Sequence, residues 1–197
     1  MSRLLWLPID VPLLPDISSL MDPAELDEGF AYWRFRRLTE RKDSPYSVST
    51  WKTEISESST GLMEWFEHLP FVNLRNIKLN LQERPVGGHV DFTNPDGDPD
   101  LWENNHQNEP CGYRILIRGR RDGCLWVDGS KGKRHACNMP VGTDVYVLDH
   151  TAGHHGVDDD ADRWTMFCHA EIDPVRHATI IVRSLEKYGD LAIWDND

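Results

Sequence analysis

The sequence predicts a mainly β protein, a sandwich or barrel of short strands with helices at its flanks. Three observations carry this. From Val72 the apolar period is two, with Ile77, Leu79 and Leu81 on one face and Leu74, Asn76, Lys78 and Asn80 on the other. Short apolar runs then recur between Gly-, Pro- and Asp-rich turns, the pattern of a sandwich or barrel. Helix punctuation is confined to the two ends.

The elements follow in order. Asp22-Pro23 reads as a helix cap with proline at the first position. Glu25 sits like the far arm of a capping box, and Leu26, Phe30 and Trp33 follow at helical spacing. A second helix holds Leu62, Met63, Trp65 and Phe66 and stops by Pro70. After the Val72 strand, further strands are expected at Gly88 to Phe92, Tyr113 to Ile117, Cys124 to Val127, His135 to Met139, Asp144 to Leu148 and Trp164 to Ala170. The acidic stretch Thr93 to Gly112 is a long loop directly after Asp91, and loops of that length serve function or move. Asp173-Pro174 caps a last helix with Val175, Ala178, Ile181, Val182 and Leu185 on one face and Gly189 as its stop.

A chain of 197 residues fits one domain with one core. It divides into a helical support at 1–71, a β core at 72–173, and a C-terminal helix and tail at 174–197. Hydrophobic residues make up 39% of the chain and eight are tryptophan, enough for a packed interior.

A formal charge of -12 argues against nucleic acid and anionic membranes, whose binding needs clustered Lys and Arg. Arg118-Gly119-Arg120-Arg121 reads as a solvated turn between strands. No apolar run reaches the roughly 20 residues of a membrane span, and Pro8 and Asp10 break the start before a signal-peptide core develops, so a cytoplasmic location is expected. Cys111, Cys124, Cys137 and Cys168 lack metal spacing and read as buried thiols.

The chemistry centres on His89-Val90-Asp91. Two residues apart on an extended segment, the imidazole and the carboxylate leave one strand face together, which suits two ligands on one metal. Two histidines and one carboxylate on one face of a metal leave positions open for a co-substrate and dioxygen. A third ligand must come from elsewhere in the chain. Downstream stands Asp149-His150-Thr151-Ala152-Gly153-His154-His155-Gly156-Val157-Asp158, and then Arg163 opening an apolar strand.

That order resembles the double-stranded β-helix oxygenases that use iron(II) and 2-oxoglutarate. Within them it is most similar to the aspartyl/asparaginyl β-hydroxylase and proline-hydroxylase group. The resemblance runs from about Leu74 to Pro174, and it rests on His89-Val90-Asp91, His155-Gly156-Val157-Asp158-Asp159 and Arg163, with Asp159 where the group often has Asn. It implies a jelly-roll, cupin-like core and an iron site of His89, Asp91 and His155. His154 is the alternate, since it lies closer to the customary separation from Arg163, whereas His155 alone produces the His-x-Val turn. Arg163 would grip the distal carboxylate of 2-oxoglutarate by two parallel hydrogen bonds, assisted by Thr165 on the same strand face. Arg114 matches the first position of the group's Arg-x-His, although Leu116 replaces the histidine, and would serve either 2-oxoglutarate or a substrate carboxylate.

The resemblance further implies uptake of dioxygen, release of succinate and carbon dioxide, and hydroxylation of an amino acid, a peptidyl side chain or another small molecule. Acidic residues of the 93–112 loop would favour a cationic group on the substrate, and Trp102 and Trp126 would line its pocket. Asn138 meets either substrate or a turn. Two rival readings share these residues: a cupin-like metalloenzyme that does not use 2-oxoglutarate, and a non-catalytic β-sandwich binding module with surface histidines. His68, His106, His135, His169 and His177 have no partnered motif and read as surface or core residues.

Overall fold

The computed structural model describes residues 2–28, 33–37, 39–41, 51–53, 60–82, 86–89, 111–149, 152–155 and 163–195. Asp91, His150 and the expected 93–112 loop up to residue 110 lie outside them.

The β core is a long hairpin wound on itself. Its outer pair is β6 (Phe71–Gln82) with β12 (Arg163–Ile172), antiparallel. Next inward, His89 bridges antiparallel to β11 (His154–His155), and then β7 (Cys111–Arg118) pairs with β10 (Val145–Asp149). The innermost pair is β8 (Leu125–Asp128) with β9 (Arg134–Cys137). Successive pairs fall alternately into two sheets, and β12 also joins β7 while β11 joins β8. A nested hairpin coiled between two sheets is the jelly roll, or double-stranded β-helix, that the resemblance implies.

The large sheet is extended at both ends. Its order is β13-β1-β10-β7-β12-β6-β3-β2, with β1 (Arg3–Pro8), β2 (Asp27–Glu28), β3 (Trp33–Arg37) and β13 (Ile193–Asp195) outside the core. The small sheet is β11-β8-β9, and β4 (Thr39–Arg41) and β5 (Trp51–Thr53) pair separately.

Alternation along the strands sorts side chains between two cores. Ile77, Leu79 and Leu81 of β6, Tyr113 and Ile115 of β7, and Val145 and Val147 of β10 pack on the outer face of the large sheet. They meet α1 (Thr60–Phe66) through Leu62, Trp65 and Phe66, and α2 (Pro174–Tyr188) through Ile180. The opposite face, carrying Leu116, Tyr146 and Leu148, packs against Leu125 and Val127 of the small sheet. Every residue of β10 is therefore buried, which is why it reads Val-Tyr-Val-Leu without polar alternation.

Several sequence expectations hold. Five of the strand runs expected after Gly88 find counterparts in β7, β8, β9, β10 and β12; of the run Gly88 to Phe92 only Gly88 and His89 are described, and His89 forms an isolated bridge. Asp173 caps α2 by accepting from the N–H groups of Val175 at 2.9 Å and Arg176 at 3.1 Å. Asn138 belongs to a turn, its Oδ1 accepting from Gly123 N–H at 2.7 Å. Arg118 at the end of β7 and Arg120 in the turn after it are exposed, whereas Arg121 is half-buried and paired with Asp144 at 3.0 Å. Cys124, Cys137 and Cys168 are buried free thiols. Burial pushes the Cys124 thiol up to about 11 and raises the other two, which holds all three in the inert neutral form.

The first third differs from expectation. Asp22 does cap, accepting from Ala24 N–H at 2.8 Å, yet the turn ends after Glu25 and the chain becomes extended at Leu26. Trp33, expected on that helix, lies on β3 opposite Gln82 of β6. The backbone groups along β6 offer a ladder that a local helical period cannot match, so tertiary pairing overrides propensity. The buried stripe of α2 is also shifted: Ile180, Ser184 and Tyr188 face inward, while Val175 and Val182 are exposed. Ser184 can be buried because its hydroxyl donates to Ile180 O and accepts from Asp10 N–H. Among the described residues no helix is long and apolar enough to cross a membrane.

Candidate functional site

A small cleft opens between the two sheets, lined by residues of both. Four polar side chains expected from the sequence line it: His89, His154, Arg114 and Arg163. They come from the β11 bridge, β7 and β12, segments brought together only by the winding of the hairpin.

His89 and His154 are held as a pair. Their backbones exchange hydrogen bonds, His89 N–H to His154 O at 3.0 Å and His154 N–H to His89 O at 2.9 Å. This narrow antiparallel bridge places the ring centroids 4.3 Å apart with the planes inclined at 56°. Each ring donates from Nδ1 to a carbonyl two residues earlier, His89 to Gly87 at 2.9 Å and His154 to Ala152 at 3.2 Å. A carbonyl only accepts, so Nδ1 carries the proton and the lone pair of each neutral ring sits on Nε2. That is the tautomer a metal-ligating histidine adopts when a second group orients it.

His154 is buried and His89 lies at the exposed rim. His155 pairs through its backbone with Trp126 of β8; its side chain, like Asp91, is outside the described set. Among the described residues no group of three His, Cys, Asp or Glu stands close enough to hold a metal.

Gly153 seats His154. The Asp128 N–H donates to Gly153 O at 2.7 Å, and a Cβ at Gly153 would lie 2.9 Å from Asp128 Oδ2. Asp128 is itself held by Arg134, whose Nε lies 3.3 Å from Oδ1. Gly153→Ala is therefore expected to turn the Asp128 carboxylate aside, loosening its pairing with Arg134, and to lower stability by about 1 kcal/mol. Denaturant unfolding measures this. Adding Asp128→Ala, which removes the colliding oxygen, should recover part of the loss, and full additivity of the two changes would count against the contact.

Arg163 is 2% exposed, at the start of β12. Its Nη1 donates to Gln82 Oε1 at 3.2 Å and its Nη2 to Tyr146 OH at 3.4 Å. Its Nε is buried without a hydrogen-bond partner, and no carboxylate pairs with it among the described residues. A buried cation in this state favours an anion entering beside it. Thr165, two residues on, is buried on the same face but is not among the residues that line the cleft.

Arg114 is 8% exposed on β7. It stands opposite Tyr146 on one side and Phe167 on the other, and its guanidinium carbon lies 4.1 Å over the Phe167 ring. That stacking fixes the plane of the fork.

Gln82, Tyr146 and Phe167 also line the cleft and were not singled out from the sequence. Gln82 had a signal. It follows Asn80 at the strand period of two, and both residues are buried although polar. Tyr146 had none, because a tyrosine in an apolar strand reads as core. Burial raises its phenol above the usual range against the pull of Arg163, so the hydroxyl keeps its proton. Trp126 is corrected: Leu125 faces the cleft, and Trp126 projects from the other face of β8, 37% exposed. Trp102 lies outside the described residues.

No family model and no curated protein matches the chain. Among solved structures, the fold is similar to that of an oxidoreductase of the 2OG-Fe(II) oxygenase family from Burkholderia pseudomallei. The TM-score is 0.41 and the identity 14%, over 77% of this chain and 73% of that one.

Proposed function

We propose that the cleft is the active site of an iron(II)- and 2-oxoglutarate-dependent oxygenase that hydroxylates an amino acid, a peptidyl side chain or another small molecule. The observation that carries this reading is Arg163, a buried guanidinium with an unpartnered Nε and no carboxylate beside it among the described residues. It shares its cleft with two imidazoles whose Nε2 lone pairs suit a metal.

Two nitrogen donors of the kind iron(II) takes stand together in the cleft. His89 and His154 would supply two nitrogens and Asp91 the carboxylate, in the two-histidine, one-carboxylate pattern of iron(II) oxygenases. His154 replaces His155 in this assignment because its ring stands beside that of His89. When bound, iron(II), 2-oxoglutarate and dioxygen supply the oxidising chemistry, with succinate and carbon dioxide released.

The chain's own residues do the rest. Arg163 would bind the distal carboxylate of 2-oxoglutarate, and Gln82 and Tyr146 hold the guanidinium in place for it. The protonated Tyr146 hydroxyl has a hydrogen of its own to donate to the same carboxylate. Leu125, Leu148 and Val86 make the remaining wall apolar, which keeps water from these polar groups.

The test is uncoupled turnover by the full chain. Succinate should appear only when iron(II), 2-oxoglutarate and dioxygen are all present. No succinate, together with intact binding of iron(II), would transfer the assignment to a cupin-like metalloenzyme that does not use the oxoacid.

A further inference from the structure

We infer that Gln82 sets the charge selectivity of this cleft: its amide orients Arg163 without cancelling the charge, which reserves the guanidinium for an anionic group of the ligand. The inference rests on the oxygenase reading and deepens it. Gln82 becomes the residue through which the site tells the distal carboxylate of 2-oxoglutarate from a neutral end. Since it acts through Arg163, it is a positioning residue.

Strand register puts the two side chains together. Arg163 of β12 stands directly opposite Gln82 of β6, and residues so paired in an antiparallel ladder project from the same face, about 4.5–5.5 Å apart. On its other side Gln82 stands opposite Trp33 of β3, so its backbone is fixed by both neighbours. The side chain is 1% exposed and lines the cleft. Its Oε1 accepts from Arg163 Nη1 at 3.2 Å.

The residue type is the informative part. Opposite an arginine, a carboxylate is the partner that electrostatics favours, and glutamate would supply it with a side chain of the same shape. The strand carries the neutral isostere instead. The other partner of the guanidinium, the Tyr146 hydroxyl 3.4 Å from Nη2, is neutral as well, because burial keeps its proton in place. Cys124 and Cys137, whose thiols feel the Arg163 charge, are also held neutral by burial. Among the described residues, no Asp or Glu lines the cleft. Arg163 is thus oriented by dipoles alone, and a buried cation held that way keeps its attraction for an ion of opposite sign. A glutamate at position 82 would meet that attraction from within the chain, and a carboxylate on the ligand would then gain little.

The experiment compares 2-oxoglutarate with its monomethyl ester at the distal carboxyl, which keeps the chelating end and removes the distal charge. Binding is measured by anaerobic calorimetry on the full chain loaded with iron(II), so no turnover is required. The parent should bind the acid roughly tenfold or more tightly than the ester. Gln82→Glu should bring acid and ester within about threefold of each other, chiefly by weakening the acid. Gln82→Met removes the hydrogen bond and adds no charge, so it should weaken the acid yet keep a preference of about tenfold. A residue needed only for packing or orientation would not separate these two variants.

Should Gln82→Glu not fold, Gln82→Asp carries the same charge on a shorter arm and replaces it. The inference is overturned if the carboxylate variant keeps the acid preference of the parent, or if Gln82→Met loses that preference as completely. It is equally overturned if the parent binds acid and ester alike, in which case the oxygenase reading stands and the distal charge is not what the cleft recognises. If the parent chain does not bind 2-oxoglutarate at all, the oxygenase reading itself falls and this inference with it.

Discussion

Arg163→Met is expected to weaken 2-oxoglutarate binding by a factor of about one hundred to ten thousand. Two charge-assisted hydrogen bonds from a buried guanidinium contribute roughly 1.5–3 kcal/mol each, or about 3–6 kcal/mol together. Arg163→Lys keeps the charge but not the fork, so it should lose about tenfold or more. Stability separates a ligand-binding role from a structural one. In the absence of an anion the guanidinium is a buried charge without a counter-charge among the described residues, and an apolar replacement of similar length is then near neutral or stabilising. The expected result is an unchanged or raised melting temperature for the free variant, and loss of the stabilisation that 2-oxoglutarate confers on the parent. A free variant that melts far below the parent would mark Arg163 as a structural residue held by Gln82 and Tyr146.

Removal of His154 or His89 should cost iron(II) affinity at least about a hundredfold, whereas His155→Ala should stay within a few-fold. Loss of a group that merely orients a ligand typically costs about 10–100-fold, and loss of the ligand itself costs more. His154 is buried, oriented by Ala152 O, and has its ring 4.3 Å from that of His89. Anaerobic iron(II) titration of the three alanine variants gives the answer directly. If His155→Ala rather than His154→Ala abolishes binding, the His-x-Val turn of the family resemblance carries the ligand and the ring pairing is incidental. Under the expected outcome the turn at His155-Gly156-Val157 has no ligating role.

Much of the site was legible as residue types in order. His89, Arg114 and Arg163 stand in the cleft because each opens or interrupts a period-two run, and a charged or imidazole side chain in such a run is noticed. Gln82 and Tyr146 were passed over because each satisfies its strand pattern, and nothing local tells a cleft-facing tyrosine from a core one. The choice between His154 and His155 was beyond the sequence for a related reason. A one-residue change of register moves every side chain of a strand to the other face, and the register of β11 is set by its partners, His89 and β8.

The N-terminal third shows the same limit from the other side. The cap at Asp22 lies where its sequence places it, as does that at Asp173 at the other end of the chain, since capping depends on a side chain and the backbone two or three residues away. The helix at Leu62 to Phe66 is likewise present, but the one expected from Asp22 to Trp33 is not, since Trp33 belongs to whichever structure completes its backbone hydrogen bonds, and the edge of β6 does so from far along the chain.

By itself, the sequence determined the things that depend on near neighbours: strand periods, turns, caps, the last helix, and the kinds of side chain available for chemistry. Tertiary structure alone decided which of those side chains meet. The physical reason is range. A hydrogen bond or a buried contact acts over a few ångströms, and the chain brings His89 to His154, or Arg163 to Gln82 and Tyr146, only after the hairpin has wound.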